Sequence, residues 1–233
     1  PCRGHPAPVS HYTPTTPHRP PTVRPMRRVP LLLLIGAPPA VAGETPPDPA
    51  AVCARLPGET LPPGFPPRTA GGEEIDVTGL LAEPTVLVVY RGGWCPYCSR
   101  HLADLQAIEA ELIALGYQLV ALSPDRPGKA AEVAASLVDS RFRVLSDSPM
   151  ELCAQLGIAF EVDPELVDQY REWGIDLEAD SGYDHHRLPV PAAFVITDST
   201  VRFSYVNPDY KSRVEGSVLL AAAAAAIEGQ TGR

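Results

Sequence analysis

The sequence has no basic run, no RNA-binding signature and no internal repeat. Nucleic-acid binding and repeat architectures are therefore not expected. The apolar run near its start, residues 29–35, is too short to cross a bilayer. Basic residues are scarce beyond residue 42. Five of the 19 lie before residue 43 and none of the 28 acidic ones do, which leaves residues 43–233 with 14 basic against 28 acidic groups. A surface charge near −14 disfavours anionic partners, nucleic acid and acidic membrane alike.

What is present begins with proline. There are 28, and 19 of them fall in residues 1–67. Residues 1–25 have almost no apolar periodicity and are expected to be disordered, or an upstream segment foreign to the protein. Met26 then reads as a start. Arg27 and Arg28, the short apolar run and the ending Ala40-Val41-Ala42 form the pattern of a secretory signal peptide over residues 26–42. The mature protein is expected to be periplasmic or secreted, without a membrane anchor. Residues 43–60, again rich in Pro and Gly, read as a disordered linker to a domain spanning residues 61–228.

The central motif is "RGGWCPYCSR", residues 91–100, with Cys95 and Cys98 three apart. Export permits structural disulfides, but a bridge over two residues closes a very small loop and stabilises little. A metal site needs more ligands. His185 and His186 are the one other cluster, and adjacent His side chains diverge, so a four-ligand zinc set is disfavoured. Redox chemistry is left. Pro96 suits the first position of a helix, which puts Cys95 at the cap. There the unpaired N–H groups and the helix dipole favour a thiolate. Cys95 is expected to be exposed and to attack, and Cys98, one turn in, to resolve the mixed disulfide. Cys53 and Cys153 read as a loop thiol and a buried helix residue, or as one bridge.

The body of the chain alternates strands and helices. "PTVLVVY" (84–90) and "YQLVALS" (117–123) read as strands buried on both faces. Between them Leu102, Leu105, Ile108, Leu112 and Leu115 recur at helical spacing up to Gly116. "EIDV" and "RVLSD" read as short strands. Residues 127–139, 150–157 and 164–174 read as helices, and "PAAFVITD" and "VRFSYVN" as a hairpin turning at Ser199-Thr200. The tail from Gly216 is a strong helix by propensity. This order predicts an α/β domain, a thioredoxin-like fold with a central mixed β-sheet flanked by helices on both faces. The dithiol would stand at the carboxyl end of a central strand, the edge where such sheets do their chemistry.

"VLVVYRGGWCPYCSRHLADLQAIEAELIALGYQLVALSPD", with "RLPVPAAFVITDSTVRFSYVNPDYKSRVE" further on, resembles the peroxiredoxin-like branch of the alkyl hydroperoxide reductase/thiol-specific antioxidant family. The likeness spans about residues 60–228. It implies a thioredoxin fold, antioxidant-type thiol chemistry and no bound cofactor. The substrate would be a peroxide or a disulfide, and a thiol reductant would regenerate the enzyme. It also implies a cis Val190–Pro191 bond facing the thiols. Laid over the peroxiredoxin pattern Pro-x-x-x-Thr-x-x-Cys, the attacking position falls on Cys98, and Arg91 and Cys95 stand where Pro and Thr belong. Laid as thioredoxin, Cys95 attacks, and the buried acid six residues earlier is replaced by Val89. His185 and His186 are then candidates for proton transfer, Arg91 for thiolate stabilisation, Trp94 for apolar cover and Pro191 for the facing loop. A copper carrier using Cys95, Cys98 and one His is the alternative from another class.

Overall fold

A computed structural model describes residues 45–61 and 63–231. The expected disorder of residues 1–25 and the signal peptide of 26–42 lie outside the described residues.

The chain from residue 45 runs through a short 3₁₀ helix, Pro49–Ala51, before strand β1 (Arg68–Thr69) and helix α1 (Val77–Ala82). Strand β2 (Thr85–Val89) leads into α2 (Pro96–Gln106) and α3 (Glu109–Ala114). Then come β3 (Gln118–Ser123), α4 (Pro127–Ser136), β4 (Arg143–Ser146) and α5 (Glu151–Gln155). An insert of β5 (Ala159–Glu161), α6 (Pro164–Glu172), α7 (Leu177–Ser181) and β6 (Arg187–Pro189) precedes the hairpin β7 (Ala192–Thr197) and β8 (Thr200–Val206). Helix α8 (Gly216–Thr231) closes the described chain.

The six-stranded sheet has the order β1-β4-β3-β2-β7-β8. Strands β2, β3 and β4 are parallel, and the outer partners are antiparallel, which makes the sheet mixed. Strand β2 is buried at every residue, as its unbroken β-branched run requires. Its even positions Val86 and Val88 pack with Leu102, Leu105, Leu112 and Leu219 of α2, α3 and α8. Its odd positions Leu87 and Val89 pack with Leu80 and Leu81 of α1 and Leu152 of α5 on the other face. A smaller cluster joins the β5–β6 pair to α6 and α7 through Phe160, Val167, Leu177 and Val190.

Several expectations are corrected. "EIDV" does not form a strand: Asp76 caps α1, its carboxylate accepting from the N–H groups of Thr78 and Gly79. The long helix expected after Cys98 is two, because the chain leaves helical geometry at Ile108 (φ −108°, ψ 4°). Apolar spacing continues across the break since both pieces face the same cluster. The hairpin turns one residue earlier, at Asp198 and Ser199, both in the left-handed region that matches strand twist. The short strands β5 and β6 carry too few residues for a sequence signal.

Residues 45–60 are not a disordered linker. The N–H of Arg55 donates to Leu156 O at 3.0 Å, Gly58 N–H to Val201 O at 2.8 Å and Leu61 N–H to Ser199 O at 2.8 Å. Val52 and Ala54 pack on two of the apolar clusters. The segment needs no core of its own because the domain supplies partners for its backbone. Gly157 makes this approach possible. Its φ is +71°, and a Cβ there would stand 1.9 Å from Cys53 O. Gly157→Ala is expected to cost about 1–3 kcal/mol, a strained dihedral plus a backbone clash, read as a lowered urea midpoint.

The Val190–Pro191 bond is trans, as are all peptide bonds among the described residues. The chain passes extended from β6 into β7. Val190 N–H donates to Ile158 O at 2.8 Å, and Pro191 O accepts from Asn207 N–H at 3.3 Å. A trans bond suits this direct hand-over from the small sheet to the large one. The loop still lies at the thiol edge, because Ala192 pairs with Val89, the last residue of β2.

Candidate active site

Three parallel strands end at one edge of the sheet. After β2 come Tyr90, Arg91 and the turn to Cys95; after β3 comes Asp125; after β4 comes Asp147. Gly92 is needed in the turn. Its φ is +148°, and a Cβ would meet Trp94 Nε1 at 2.3 Å.

Cys95 is the N-cap of α2 and Pro96 its first residue, as the sequence suggests. Cys95 O accepts from the N–H of Cys98 at 2.9 Å and of Ser99 at 3.1 Å. Both thiols are free. The expectation of an exposed Cys95 is corrected: both cysteines are 1% exposed and belong to the main apolar cluster. Trp94 packs against that cluster, and Tyr97 meets Tyr210 edge-on at 5.6 Å. The first turn of α2 is thus roofed by aromatic rings.

The two thiols are polarised in opposite directions. A hydrogen bond from Cys98 pulls the Cys95 thiol down to about 6, with the charges of Arg91 and Arg213 adding to it against burial. Cys98 is pushed up, first by that same bond and then by its own burial. The directions of the two shifts make Cys95 the sulfur that ionises more readily.

Arg91 is 4% exposed. Its guanidinium lies over the rings of Tyr210 (4.4 Å), Trp94 (5.1 Å) and Tyr170 (5.6 Å), and it donates to the Tyr170 hydroxyl. Arg213, just before α8, places Nη2 at 3.4 Å from Cys98 Sγ. Neither guanidinium has a carboxylate at ion-pair distance among the described residues. Arg213 also donates to the backbone oxygens of Tyr210 and Ser212, and both charges favour the Cys95 thiolate. His101 of α2, also buried, is hydrogen-bonded through Nε2 to Val214 O at 3.2 Å. Burial lowers its pKa to about 4, so the ring is neutral near pH 7 and fixes the segment that carries Arg213.

The histidine candidates are not at the sulfurs. His185 Nδ1 accepts from Arg187 N–H at 2.9 Å, so Nε2 carries the proton and donates to Ser148 O at 2.8 Å. Both ring nitrogens are engaged in holding the loop. His186 Nε2 pairs with Glu178 at 2.7 Å. A buried acid does stand at this sheet edge, Asp125. It is buried, accepts from Gly93 N–H at 2.9 Å, and is raised by burial to about 6. Its sequence signal was its place directly after β3, at the edge where the dithiol stands. Arg213 had no such signal. Cys153 is a free buried thiol, which excludes a bridge between it and Cys53.

Among the described residues no three His, Cys, Asp or Glu side chains are grouped to hold a metal ion, and no helix is long and apolar enough to cross a membrane.

The fold resembles solved peroxiredoxins. Reduced Prx3 from Vibrio vulnificus, in complex with hydrogen peroxide, superposes with a TM-score of 0.59 at 18% identity, over 72% of this chain and 99% of that one. Peroxiredoxin Q of Xanthomonas campestris gives 0.55 at 18%, over 76% and 98%. Peroxidoxin BcpB of Mycobacterium tuberculosis gives 0.53 at 21%, over 72% and 96%. At these identities the likeness establishes the thioredoxin-like fold. No curated protein is similar enough to count as a match. The sequence model of the AhpC/TSA family matches residues 56–204, a span that holds the central strands and both cysteines of the site. The chain belongs to the AhpC/TSA family of thiol-dependent oxidoreductases.

Proposed function

We propose that the protein is a thiol-dependent peroxidase in which Cys95 attacks a hydroperoxide and Cys98 resolves the product to a disulfide, with a thiol reductant closing the cycle. The observation that carries this reading is the polarised pair. Cys95 caps a helix with its thiol pulled down to about 6, and Cys98 donates to it one turn away. Attack needs a thiolate that is ionised at working pH, and resolution needs a second sulfur in reach. Burial of both sulfurs favours a small oxidant over a folded protein's disulfide. The copper-carrier reading has less support, because His185 has both nitrogens engaged and His186 is paired with Glu178. Export to the periplasm is part of the proposal and rests on the residue 26–42 pattern alone. An N-terminal sequence of exported protein starting at Gly43 would bear it out.

The test of function is a thiol count. Reduced protein given one equivalent of hydrogen peroxide, with no metal present, is expected to lose two thiols per chain. Peptide mapping should then find a Cys95–Cys98 disulfide. Loss of thiols with a small disulfide but not with peroxide would make the protein a disulfide exchanger instead.

A further inference from the structure

The insert from β5 to β6 carries a two-stranded sheet and an apolar cluster of its own. It meets the dithiol turn through α6. Pro164 is the first residue of that helix, and the Asp163 side chain accepts from Glu165 N–H at 2.8 Å. Val167 and Tyr170 are its buried residues. The Tyr170 ring lies 5.7 Å from that of Trp94 and 5.8 Å from that of Trp173. Trp94, the residue before Cys95, packs against both the insert's cluster and the cluster that holds the thiols. The Tyr170 hydroxyl accepts from Arg91 Nη2, and its ring lies 5.6 Å from the same guanidinium. One side chain of the insert thus holds two residues of the dithiol turn.

Arg91 stands where the peroxiredoxin pattern carries Pro, so its role is particular to this chain. A buried guanidinium is commonly neutralised by a carboxylate. Arg91 has none at ion-pair distance among the described residues, although Asp125 and Asp180 line the same small cavity, with His185, His186 and Arg187. Three aromatic faces and one phenol oxygen hold it instead. Such contacts bind a cation without cancelling its charge.

We propose that Tyr170 is a positioning residue for the attacking thiol: its hydroxyl and ring keep the Arg91 guanidinium at the dithiol turn, so the insert sets the reactivity of Cys95. This rests on the reading that Cys95 attacks. The turn itself is tight, with Cys95 N–H donating to Gly92 O at 3.1 Å, which keeps Cys95 close to Arg91. The Cys98 hydrogen bond has the largest effect on the Cys95 thiol, and the charges of Arg91 and Arg213 add to it. A guanidinium released by Tyr170 has a long flexible stem. It can swing towards Asp125 and Asp180, where a carboxylate would offset its charge and the sulfur would lose it.

Tyr170→Phe keeps the ring between Trp94 and Trp173 and removes the hydroxyl alone. The whole chain, reduced, is alkylated with iodoacetamide over a range of pH, and the label is mapped to each cysteine by mass. In Tyr170→Phe the Cys95 midpoint should rise by about one pH unit, the low end for an opposite charge withdrawn from a nearby group. Sulfenic-acid formation with hydrogen peroxide should slow most below that midpoint. Arg91→Met should raise the midpoint as well, and adding Tyr170→Phe to it should change nothing further. Arg91→Lys keeps the charge but not the planar stack, so its midpoint should fall between those of wild type and Arg91→Met. A hydroxyl that served packing alone would lower the melting temperature and leave the midpoint in place, which would overturn the proposal. An equal shift from Tyr170→Phe with and without Arg91, or a wild-type midpoint in Arg91→Lys, would overturn it too. If the label that titrates is found on Cys98, the order of the thiols falls. A Tyr170→Phe shift read there, and absent in Arg91→Met, would still uphold the positioning role.

Discussion

Cys95→Ser should lose reaction with peroxide by at least about a thousandfold, whereas Cys98→Ser should react once and stop as a trapped sulfenic acid. The two sulfurs compete for the attacking role on different grounds. The family pattern of Pro and Thr ahead of the attacking Cys, laid on this chain, selects Cys98, and Arg213 does approach Cys98 Sγ at 3.4 Å. Against that, the pattern's Pro and Thr positions hold Arg91 and Cys95. Cys98 is held protonated by its bond to Cys95 and by burial. Cys95 has the helix N-terminus, the Cys98 donor and the Arg91 charge together. The thiolate fraction decides between two sulfurs equally buried. The rate of the first step in Cys98→Ser should therefore rise with pH as Cys95 ionises and then level. The midpoint should lie above 6, since the Cys98 donor is gone. A sulfenic acid on Cys98 in Cys95→Ser would reverse the assignment.

Asp147→Ala should cost about 3–4 kcal/mol in urea unfolding, the largest stability effect expected of one side chain here. The carboxylate is buried and accepts three N–H groups at the start of α5, from Glu151 and Leu152 at 3.1 Å and Cys153 at 2.7 Å. Alanine would leave those donors dry and partnerless inside the second apolar cluster, whose members include Leu152 and Cys153. The effect also has a pH signature. Burial raises Asp147 to about 6, so the native state binds its proton more tightly than the unfolded chain does. The contribution of such a group is fullest below the unfolded value near 4 and declines as pH rises through 6. The stability gap between wild type and Asp147→Ala should therefore be wider at pH 4 than at pH 7. A gap under 1 kcal/mol at both would show that water reaches the helix end.

The sequence carried the parts of this fold that rest on local pattern. The run Val86-Leu87-Val88-Val89 is apolar at every position because both faces are covered, and it could only be a central strand. Cys95-Pro96 announced a helix start by the chemistry of proline alone. What was not legible depends on contacts between distant residues. Arg213 reaches Cys98 across 115 positions, and Tyr90 reads as one more apolar strand residue, although its hydroxyl is buried without a hydrogen-bond partner among the described residues. The exposure of Cys95 was misjudged for the same reason, since it is buried by joining the main apolar cluster, whose members come from distant elements. Residues 45–60 read as a linker because composition reports whether a segment can bury its own core, not whether a neighbour will hold it.

That held segment bears on solubility. Strand β8 is the last in the sheet, and an open strand margin offers a template for a second chain to add to. Here its opening residues are already taken. Thr60 bridges Thr200, Val201 N–H donates to Glu59 O at 3.0 Å, and Gly58 N–H donates to Val201 O. A protein shortened to begin near residue 63 would keep every residue of the dithiol site and lose this cover. Its failure would then be intermolecular, as concentration-dependent clumping through the bared margin, while each dissolved molecule stayed able to react with peroxide.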